Sequence, residues 1–323
     1  MPASPRGVSR RCPQAETVKR NTKKAKRIAL PPYNSPVDEA HLIAKIERSL
    51  ARRGLATGNG IITGIGDDCA IFRPKSGDDL IFTTDQMHLG SHFTATTKPS
   101  QIGHTALARS LSDIAAMGGR PLFALVALAA SDPVWIDGFY AGFLPLAQRH
   151  GVILAGGDLS ATPTPSCDVM VCGSVPRGQA LLRSKARVGD TISVSGPLGA
   201  AALALERSRP RLPQPQLALG RTLYAQGVRC AMDLSDGLST DLRRLCLASG
   251  VSARLTAVPR AKGARLEQAL HGGEDYQLLF TSRKPIPGTF PIGSIVQSHP
   301  DCVFYQDCPL PPLGWDHYYE PRS

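Results

Sequence analysis

Acidic residues recur along this chain in short segments, and each carboxylate stands beside a glycine, a small residue or a hydroxyl. The segments are Gly66-Asp67-Asp68, Thr83-Thr84-Asp85, Ser112-Asp113, Gly156-Gly157-Asp158, Asp233-Leu234-Ser235-Asp236-Gly237 and Gly272-Gly273-Glu274-Asp275. If they converge in space, their mutual repulsion requires counter-charge, and oxygen ligands of this kind suit Mg²⁺, which also bridges to substrate phosphates. The pattern therefore indicates an enzyme that handles phosphate groups with several metal ions.

Each segment taken alone is an ordinary turn dipeptide, so the weight lies in the joint recurrence. The chain has no Gly-x-x-x-x-Gly-Lys-Ser/Thr loop and no Gly-x-Ser-x-Gly motif. These absences argue against a P-loop kinase and a serine hydrolase. Histidines and cysteines do not cluster at ligand spacing, which argues against zinc. Metal-centred phosphoryl chemistry, in which catalysis consists mainly of positioning and charge neutralisation, fits best.

Length and composition predict a two-domain globular protein. The chain has 323 residues, 42% of them hydrophobic, and its longest apolar run, residues 122–130, is strand-sized. Eight cysteines are scattered without a Cys-x-x-Cys pair or a secretory signal, so we expect reduced thiols. A cytoplasmic location without membrane contact follows.

The positive charge is concentrated at the N-terminus. Residues 1–30 hold nine Lys or Arg against Glu16 alone, which is +8 of the net +11 and leaves +3 for the rest. We expect residues 1–34 to form a disordered basic tail. A nucleic-acid or membrane contact, an organellar transit peptide and a misassigned start codon are the alternatives; we expect no nucleic-acid partner.

Secondary structure is expected to begin after the tail, with a helix over residues 36–53 that starts at a capping-box pattern. A hairpin of residues 69–72 and 80–84 would carry Asp85 at the far end of its second strand. The remaining predicted elements of the first unit are a helix over 99–117, a strand over 122–130, a helix over 133–150 and strands over 152–154 and 169–175. Residues 176–187 are the predicted linker. The second unit has predicted strands over 191–195, 251–258 and 276–281 and helices over 198–207, 216–226 and 238–248.

Several of the acidic segments, with their neighbours, match a known family in order and spacing over residues 38–319. The matching motifs are Gly64-Ile65-Gly66-Asp67-Asp68-Cys69-Ala70, Thr83-Thr84-Asp85, His92-Phe93, Leu111-Ser112-Asp113-Ile114-Ala115-Ala116-Met117-Gly118, Gly156-Gly157-Asp158, Arg183-Ser184, Asp233-Leu234-Ser235-Asp236-Gly237-Leu238 and Gly272-Gly273-Glu274-Asp275-Tyr276. In these motifs the chain resembles the thiamine-monophosphate kinases of the aminoimidazole ribonucleotide synthetase-like superfamily, whose ATP sites lack a P-loop.

The resemblance implies roles for particular residues. The implied Mg²⁺ ligands are Asp68, Thr83, Thr84, Asp85, Asp113, Asp158, Asp233 and Asp236. The implied ATP contacts are Gly157, Asp158, Arg183 and Ser235, and the implied contacts to thiamine monophosphate are His92, Glu274 and Trp315. The predicted catalytic residues are Asp85, Asp158 and Asp236. An aromatic plane and a carboxylate suit a cationic thiazolium.

The resemblance also implies an α+β architecture with two domains of the aminoimidazole ribonucleotide synthetase-like fold. The N-terminal domain, residues 35–176, would bind metal and ATP in a mixed sheet with helices and form a homodimer through its sheet. The C-terminal α/β domain, residues 185–320, would complete the active site. The implied reaction converts ATP and thiamine monophosphate into ADP and thiamine diphosphate by direct in-line transfer.

Two departures from the family pattern stand out. Leu159-Ser160-Ala161 replaces the usual Thr-Thr-Arg, and Pro213-Gln214-Pro215-Gln216 lacks the usual Arg. Neither touches a proposed metal ligand. Sister enzymes of the superfamily, such as selenophosphate or aminoimidazole ribonucleotide synthetase, remain open alternatives, as does a non-enzymatic nucleic-acid binder acting through the basic tail.

Overall fold

The computed structural model describes residues 61–63, 70–73, 77–209 and 211–317. The predicted helix over 36–53, the basic tail and Asp68 lie outside these described residues. Within them, helices and two mixed sheets form an α+β architecture, as predicted.

The first sheet has its six described strands in the order β1-β2-β3-β6-β4-β5. Their bounds are β1 (Ile61–Thr63), β2 (Ala70–Phe72), β3 (Asp78–His88), β4 (Arg120–Ala129), β5 (Ile153–Ser160) and β6 (Ser166–Pro176). The predicted hairpin is confirmed, because β2 pairs antiparallel with β3. Strand β3 runs farther than predicted, since it pairs with β6 along its whole length.

The two helices of the first unit match their predicted bounds closely. Helix α1 (Pro99–Ala116) starts at a proline and ends just before Gly118, whose φ is +72°. Helix α2 (Pro133–His150) is capped by the Asp132 side chain and ends at Gly151 in the left-handed region. Helix α1 packs against β3, β6 and α2. It also contacts two strands of the second sheet, Cys230–Asp233 and Leu278–Ser282. Its residues can therefore reach both sheets.

The second sheet has seven strands within the described part of the chain, ordered β13-β12-β9-β11-β7-β10-β8. Their bounds are β7 (Thr191–Val194), β8 (Cys230–Asp233), β9 (Ser252–Leu255), β10 (Leu278–Ser282), β11 (Phe290–Val296), β12 (Val303–Tyr305) and β13 (Cys308–Pro309). The helices between them are α3 (Ala200–Glu206), α4 (Leu217–Ala225), α5 (Leu238–Ser249) and α6 (Leu266–His271). Strands β8 and β10 pair antiparallel, with Asp233 opposite Leu278 and Cys230 opposite Thr281.

Two hydrophobic clusters form the core. The first fills the space between α1, α2 and the first sheet and also includes Ala231, Leu278 and Phe280 of the second sheet, whereas the other cluster packs around α5. The boundaries predicted at residues 176 and 185 stay a prediction.

The expectation of reduced thiols is wrong at one position, because Cys308 is disulfide-bonded. The free described cysteines are Cys167, Cys172, Cys230, Cys246 and Cys302, all of them buried. Cys308, by contrast, lies in β13 at the edge of the second sheet. Among the described helices, none has the length and apolar character needed to cross a bilayer.

Candidate active site

Strand β3 and helix α1 bring three of the predicted metal ligands close together. The Thr83 hydroxyl donates a hydrogen bond to the Asp113 carboxylate. Ser110, one turn earlier on α1, donates to Asp85 Oδ2 at 3.1 Å and to the Val169 carbonyl at 2.9 Å. Because residues two apart on a strand share a face, Thr83 and Asp85 both face α1. Thr84 therefore points to the opposite face, where it is exposed.

Arg109 joins the two sheets at this point. Its Nε lies 3.5 Å from Asp85 Oδ1, and its Nη1 lies 3.7 Å from Glu274 Oε1. The guanidinium is largely buried, and its Nε has no hydrogen-bond partner within the described residues. Burial opposes the charged form, but Tyr276, Asp85 and Glu274 outweigh it and raise the pKa of Arg109. Arg109 therefore stays a cation between two carboxylates.

Asp233 is the last residue of β8, and the loop that follows it carries Ser235 and Asp236. Asp236 forms an ion pair with Arg244. Its backbone N–H and that of Gly237 donate to Asp241 Oδ2 at 3.0 and 3.1 Å. Burial and the neighbouring Asp236 carboxylate raise the pKa of Asp241 to about 7, while Arg244 opposes the rise. The backbone of this loop is thus held from beneath by a buried side chain.

The segment before β10 presents Glu274 to the same region. Its backbone N–H donates to the Ser235 carbonyl at 2.7 Å, and that of Tyr276 donates to Leu234 at 2.9 Å. Glu274 and Tyr276 have φ values of +65° and +49°, a conformation that side-chain-bearing residues rarely adopt. Burial raises the pKa of Glu274, and Arg109 counteracts it.

The predicted acceptor residues His92 and Trp315 are linked through a third aromatic ring. The His317 ring centroid lies 5.3 Å from that of His92 and 5.6 Å from that of Trp315. Trp315 is 52% exposed, and its backbone N–H donates to the Asp236 carbonyl at 2.9 Å. The C-terminal segment therefore joins the predicted acceptor side to the Asp236 loop.

His92 is held in its neutral form. Burial, together with the positive charges of Arg109, His317 and His88, lowers the pKa of His92 to about 4. Its Nδ1 accepts a hydrogen bond from the backbone N–H of His88 at 3.1 Å. A neutral imidazole at this place does not repel a cationic ligand.

Strand β5 carries Gly157 and Asp158 beside β4, in register with Val126 and Ala127. A Cβ on Gly157 would lie 1.9 Å from the Val126 carbonyl oxygen, so only glycine fits. Asp158 is exposed. Within the described residues, Asp158 and Thr84 form no ion pair or side-chain hydrogen bond with the other predicted ligands.

Arg183 lies in a 3₁₀ turn, residues Arg183–Lys185, that packs against α5. Its carbonyl accepts a hydrogen bond from Ser249 Oγ at 2.6 Å. Its positive charge acts on the buried Asp241 beneath the Asp236 loop. The structure thus places Arg183 near Asp241.

The donor set fits a hard divalent cation, because it consists of carboxylate and hydroxyl oxygens. In the part of the chain that the structure describes, however, no three of the His, Cys, Asp and Glu side chains are close enough to hold a metal ion by themselves. Two acidic groups are formed instead, Asp85 with Glu274 and Asp236 with Asp241, and each contains an arginine.

The sequence prediction missed Arg109, Arg244 and His317. Arg109 precedes Asp113 by one helical turn, a spacing that places both on one face of α1. Arg244 and Asp241 are three residues apart on α5 and therefore also share a helix face. His317 follows Trp315 by two residues in a motif that the prediction used only for its aromatic ring.

Comparison with known proteins identifies the relatives of this chain. Residues 66–175 match the family model described as AIR synthase related protein, N-terminal domain. The thiamine-monophosphate kinase of Salmonella typhimurium (strain LT2) is 36% identical over 247 residues, which are 68% of this chain and 76% of that protein.

Two solved structures resemble this one over most of its length. The crystal structure of thiamine-monophosphate kinase from Stenotrophomonas maltophilia K279a matches with a TM-score of 0.67 at 32% identity, covering 82% of this chain and 96% of that one. The structure of AaThiL complexed with AMPPCP and TMP matches with a TM-score of 0.73 at 27% identity, covering 89% and 100%. That protein binds its two ligands on the same fold.

Proposed function

The chain belongs to the thiamine-monophosphate kinase family, and we propose that it transfers the γ-phosphoryl group of ATP directly to thiamine monophosphate. A phosphate oxygen of the acceptor attacks the γ-phosphorus, and the bond from that phosphorus to the β,γ-bridging oxygen breaks. The products are ADP and thiamine diphosphate. The acceptor phosphate is already an anionic nucleophile, so the step needs no general base.

The convergence of the two acidic groups supports this proposal most. Arg109 links Asp85 to Glu274, which lies in the segment before β10, and the Glu274 backbone N–H donates a hydrogen bond to the Ser235 carbonyl, next to Asp236. Residues of the first sheet and of the segment before β10 thus lie close together, and the proposal assigns the alignment of phosphate donor and acceptor to this region. In-line transfer depends mainly on such positioning.

Mg²⁺ is the cation that this donor set suits, with Asp85, Asp113, Asp158, Asp233 and Asp236 as carboxylate ligands and Thr83 as a hydroxyl ligand. Asp68 and Thr84 complete the proposed set. When bound, Mg²⁺ reduces the repulsion between the two phosphate groups. Arg109 and Arg244 already neutralise part of the negative charge among the described residues.

Nucleotide binding is proposed for Gly157, Asp158, Arg183 and Ser235. Close packing against the Val126 carbonyl requires glycine at position 157, and the Gly157 backbone is the proposed contact to the ATP phosphates. Arg183, in the turn that packs against α5, supplies a positive charge for the ATP phosphates.

Recognition of the acceptor is proposed for His92, Glu274 and Trp315. The exposed Trp315 ring offers a face for the cationic thiazolium, and the Glu274 carboxylate offers a counter-charge. The neutral His92 adds a polar contact without repulsion.

Several further features belong to the same proposal. They are a homodimer formed through the first sheet, a cytoplasmic location, and domain boundaries at residues 35–176 and 185–320.

The deciding experiment incubates the full-length protein with ATP, MgCl₂ and thiamine monophosphate and separates the products by chromatography. We expect thiamine diphosphate and ADP in equal amounts. A parallel reaction with thiamine in place of its monophosphate tests the acceptor, because a direct transfer to a phosphate oxygen gives no diphosphate from it. ATP hydrolysis without thiamine diphosphate would contradict the proposal.

A further inference from the structure

A polar cavity lies at one end of the second sheet, and Asp233 lies at the other end. The cavity has a volume of about 410 Å³ and is bordered by Cys230 at the start of β8 and by Thr281 and Ser282 at the end of β10. Asp233 is at the other end of β8, three residues away, which corresponds to about 10 Å along a strand. The cavity is therefore separate from the acidic groups of the candidate active site.

Cations dominate the border of this cavity. Its border holds five cationic side chains, Lys185, Arg187, Arg229, Arg283 and Lys284, against one carboxylate, Asp190.

The one carboxylate is fully engaged. Arg283 Nε lies 2.8 Å from Asp190 Oδ1. The backbone N–H of Arg187 and the Thr281 hydroxyl both donate to Asp190 Oδ2 at 3.0 Å. Asp190 therefore compensates the charge of Arg283 only.

The other four cations, Lys185, Arg187, Arg229 and Lys284, are exposed and form no ion pair with any residue that the structure describes. Four unpaired positive charges around one concavity produce a strong local positive potential, because a cavity with low-dielectric walls focuses the field. Such a potential attracts multivalent anions.

From this arrangement we propose that the cavity binds a small anion bearing one or more phosphate groups. The charge fits this class, since a phosphate or diphosphate group carries two or more negative charges and arginine pairs with phosphate oxygens through two N–H groups. The volume fits a small molecule and excludes a folded partner.

The site is distinct from the proposed nucleotide site, although Lys185 follows Arg183 by two residues. The Arg183 carbonyl accepts a hydrogen bond from the Cys230 thiol at 3.6 Å, on the cavity side, but the Arg183 charge acts on Asp241 under the Asp236 loop. Lys185 borders the cavity itself.

The test uses inorganic pyrophosphate as the probe and isothermal titration calorimetry as the measurement, in metal-free buffer at low ionic strength. The cavity variant combines Lys185→Gln, Arg229→Gln and Lys284→Gln and keeps the Arg283 and Asp190 pair. The control variant combines Arg207→Gln, Arg209→Gln and Arg260→Gln, which removes the same charge from exposed positions outside the cavity.

We expect pyrophosphate to bind the wild-type protein and the control variant with similar affinity, and the cavity variant at least about tenfold more weakly. Binding to the wild-type protein falls as NaCl is added. The KM values for ATP and thiamine monophosphate stay the same in the cavity variant, which separates the cavity from the proposed active site. Equal affinity in the cavity variant, or an equal loss in both variants, would overturn the proposal.

Discussion

The two ends of the second sheet differ in how their charges are compensated. At the end that carries Asp233, Asp236 pairs with Arg244, and Glu274 pairs with Arg109. At the opposite end, four cations around the cavity have no counter-charge among the described residues, and Asp190 serves Arg283 alone.

This difference shows two ways of preparing a protein surface for phosphate. At the acidic end, Arg109 and Arg244 offset the repulsion between neighbouring carboxylates. A metal ion that binds there has to compete with Arg109 and Arg244 for the same oxygens. At the basic end, Lys185, Arg187, Arg229 and Lys284 have no such partner among the described residues, so the proposed anion binds to charges that are already available.

Removing a proposed metal-binding carboxylate has the largest expected effect. In Asp85→Asn and Asp158→Asn we expect kcat to fall by about a hundredfold or more, since electrostatic stabilisation of the transferred group is lost. Folding is affected less in Asp158→Asn, which changes an exposed side chain, than in Asp85→Asn, which removes a partner of the largely buried Arg109. Asp137→Asn, at an exposed position of α2, is the control. Wild-type turnover of either variant at saturating Mg²⁺ would show that the metal assignment is wrong.

Trp315 tests whether the acidic end also recognises the acceptor. In Trp315→Ala we expect the KM for thiamine monophosphate to rise about ten- to a hundredfold, which is the value of one aromatic contact to a cation. The KM for ATP should change little. Leu313→Ala, in the same segment and 61% exposed, is the matched control. Equal increases in both KM values would make Trp315 a structural anchor.

Arg109 tests the compensation itself. In Arg109→Met we expect a loss of about 1 to 3 kcal/mol in the free energy of unfolding without metal, because Asp85 and Glu274 lose their shared cation. Added Mg²⁺ should then raise the melting temperature of this variant more than that of the wild-type protein. Arg260→Met, at an exposed position, should show neither change. If Mg²⁺ stabilises both proteins equally, Arg109 and the metal do not share ligands.

His92 gives a smaller effect that depends on pH. Its pKa is about 4 in the folded protein and near 6.5 in the unfolded chain, so the unfolded state alone binds a proton between these values. This contribution lowers the stability of the wild-type protein as the pH falls from 6.5 towards 4. In His92→Gln it is absent, so the melting temperature of the variant relative to wild type should rise on acidification. A difference that is constant across this pH range would contradict the assignment.

The basic tail is expected to have the smallest effect, because it has charge without a packing pattern. Deletion of residues 1–34 should leave the melting temperature within a few degrees and the kinase activity within about threefold. A steep loss of activity that added salt reproduces in the full-length protein would show that the tail attracts anionic substrates.

Much of the fold could be predicted from local patterns. The bounds of α1 and α2 followed from proline at the start and glycine after the end. The strand through Gly156-Gly157-Asp158 was missed beyond residue 154, because two glycines and an aspartate are typical of a turn. Parallel pairing with β4 keeps this segment extended as part of β5.

The acidic segments of the site could be predicted because each has a recognisable local motif. Their arginine partners could not. Arg109 contacts Glu274, which is 165 positions later in the chain, so only the tertiary fold brings the two together. The unpaired cations of the cavity were missed for the same reason: Lys185, Arg229 and Lys284 lie in three separate segments and form no motif.

Glu274 imposes a double requirement on one position. Its backbone has a φ of +65°, and the same residue supplies the carboxylate that pairs with Arg109. Glycine would suit the backbone but remove the charge, and a β-branched residue would fail on both counts. Asparagine also tolerates this conformation but removes the charge, whereas aspartate keeps the carboxylate and has some tolerance of the conformation. Few substitutions at this position therefore preserve both the backbone conformation and the ion pair with Arg109.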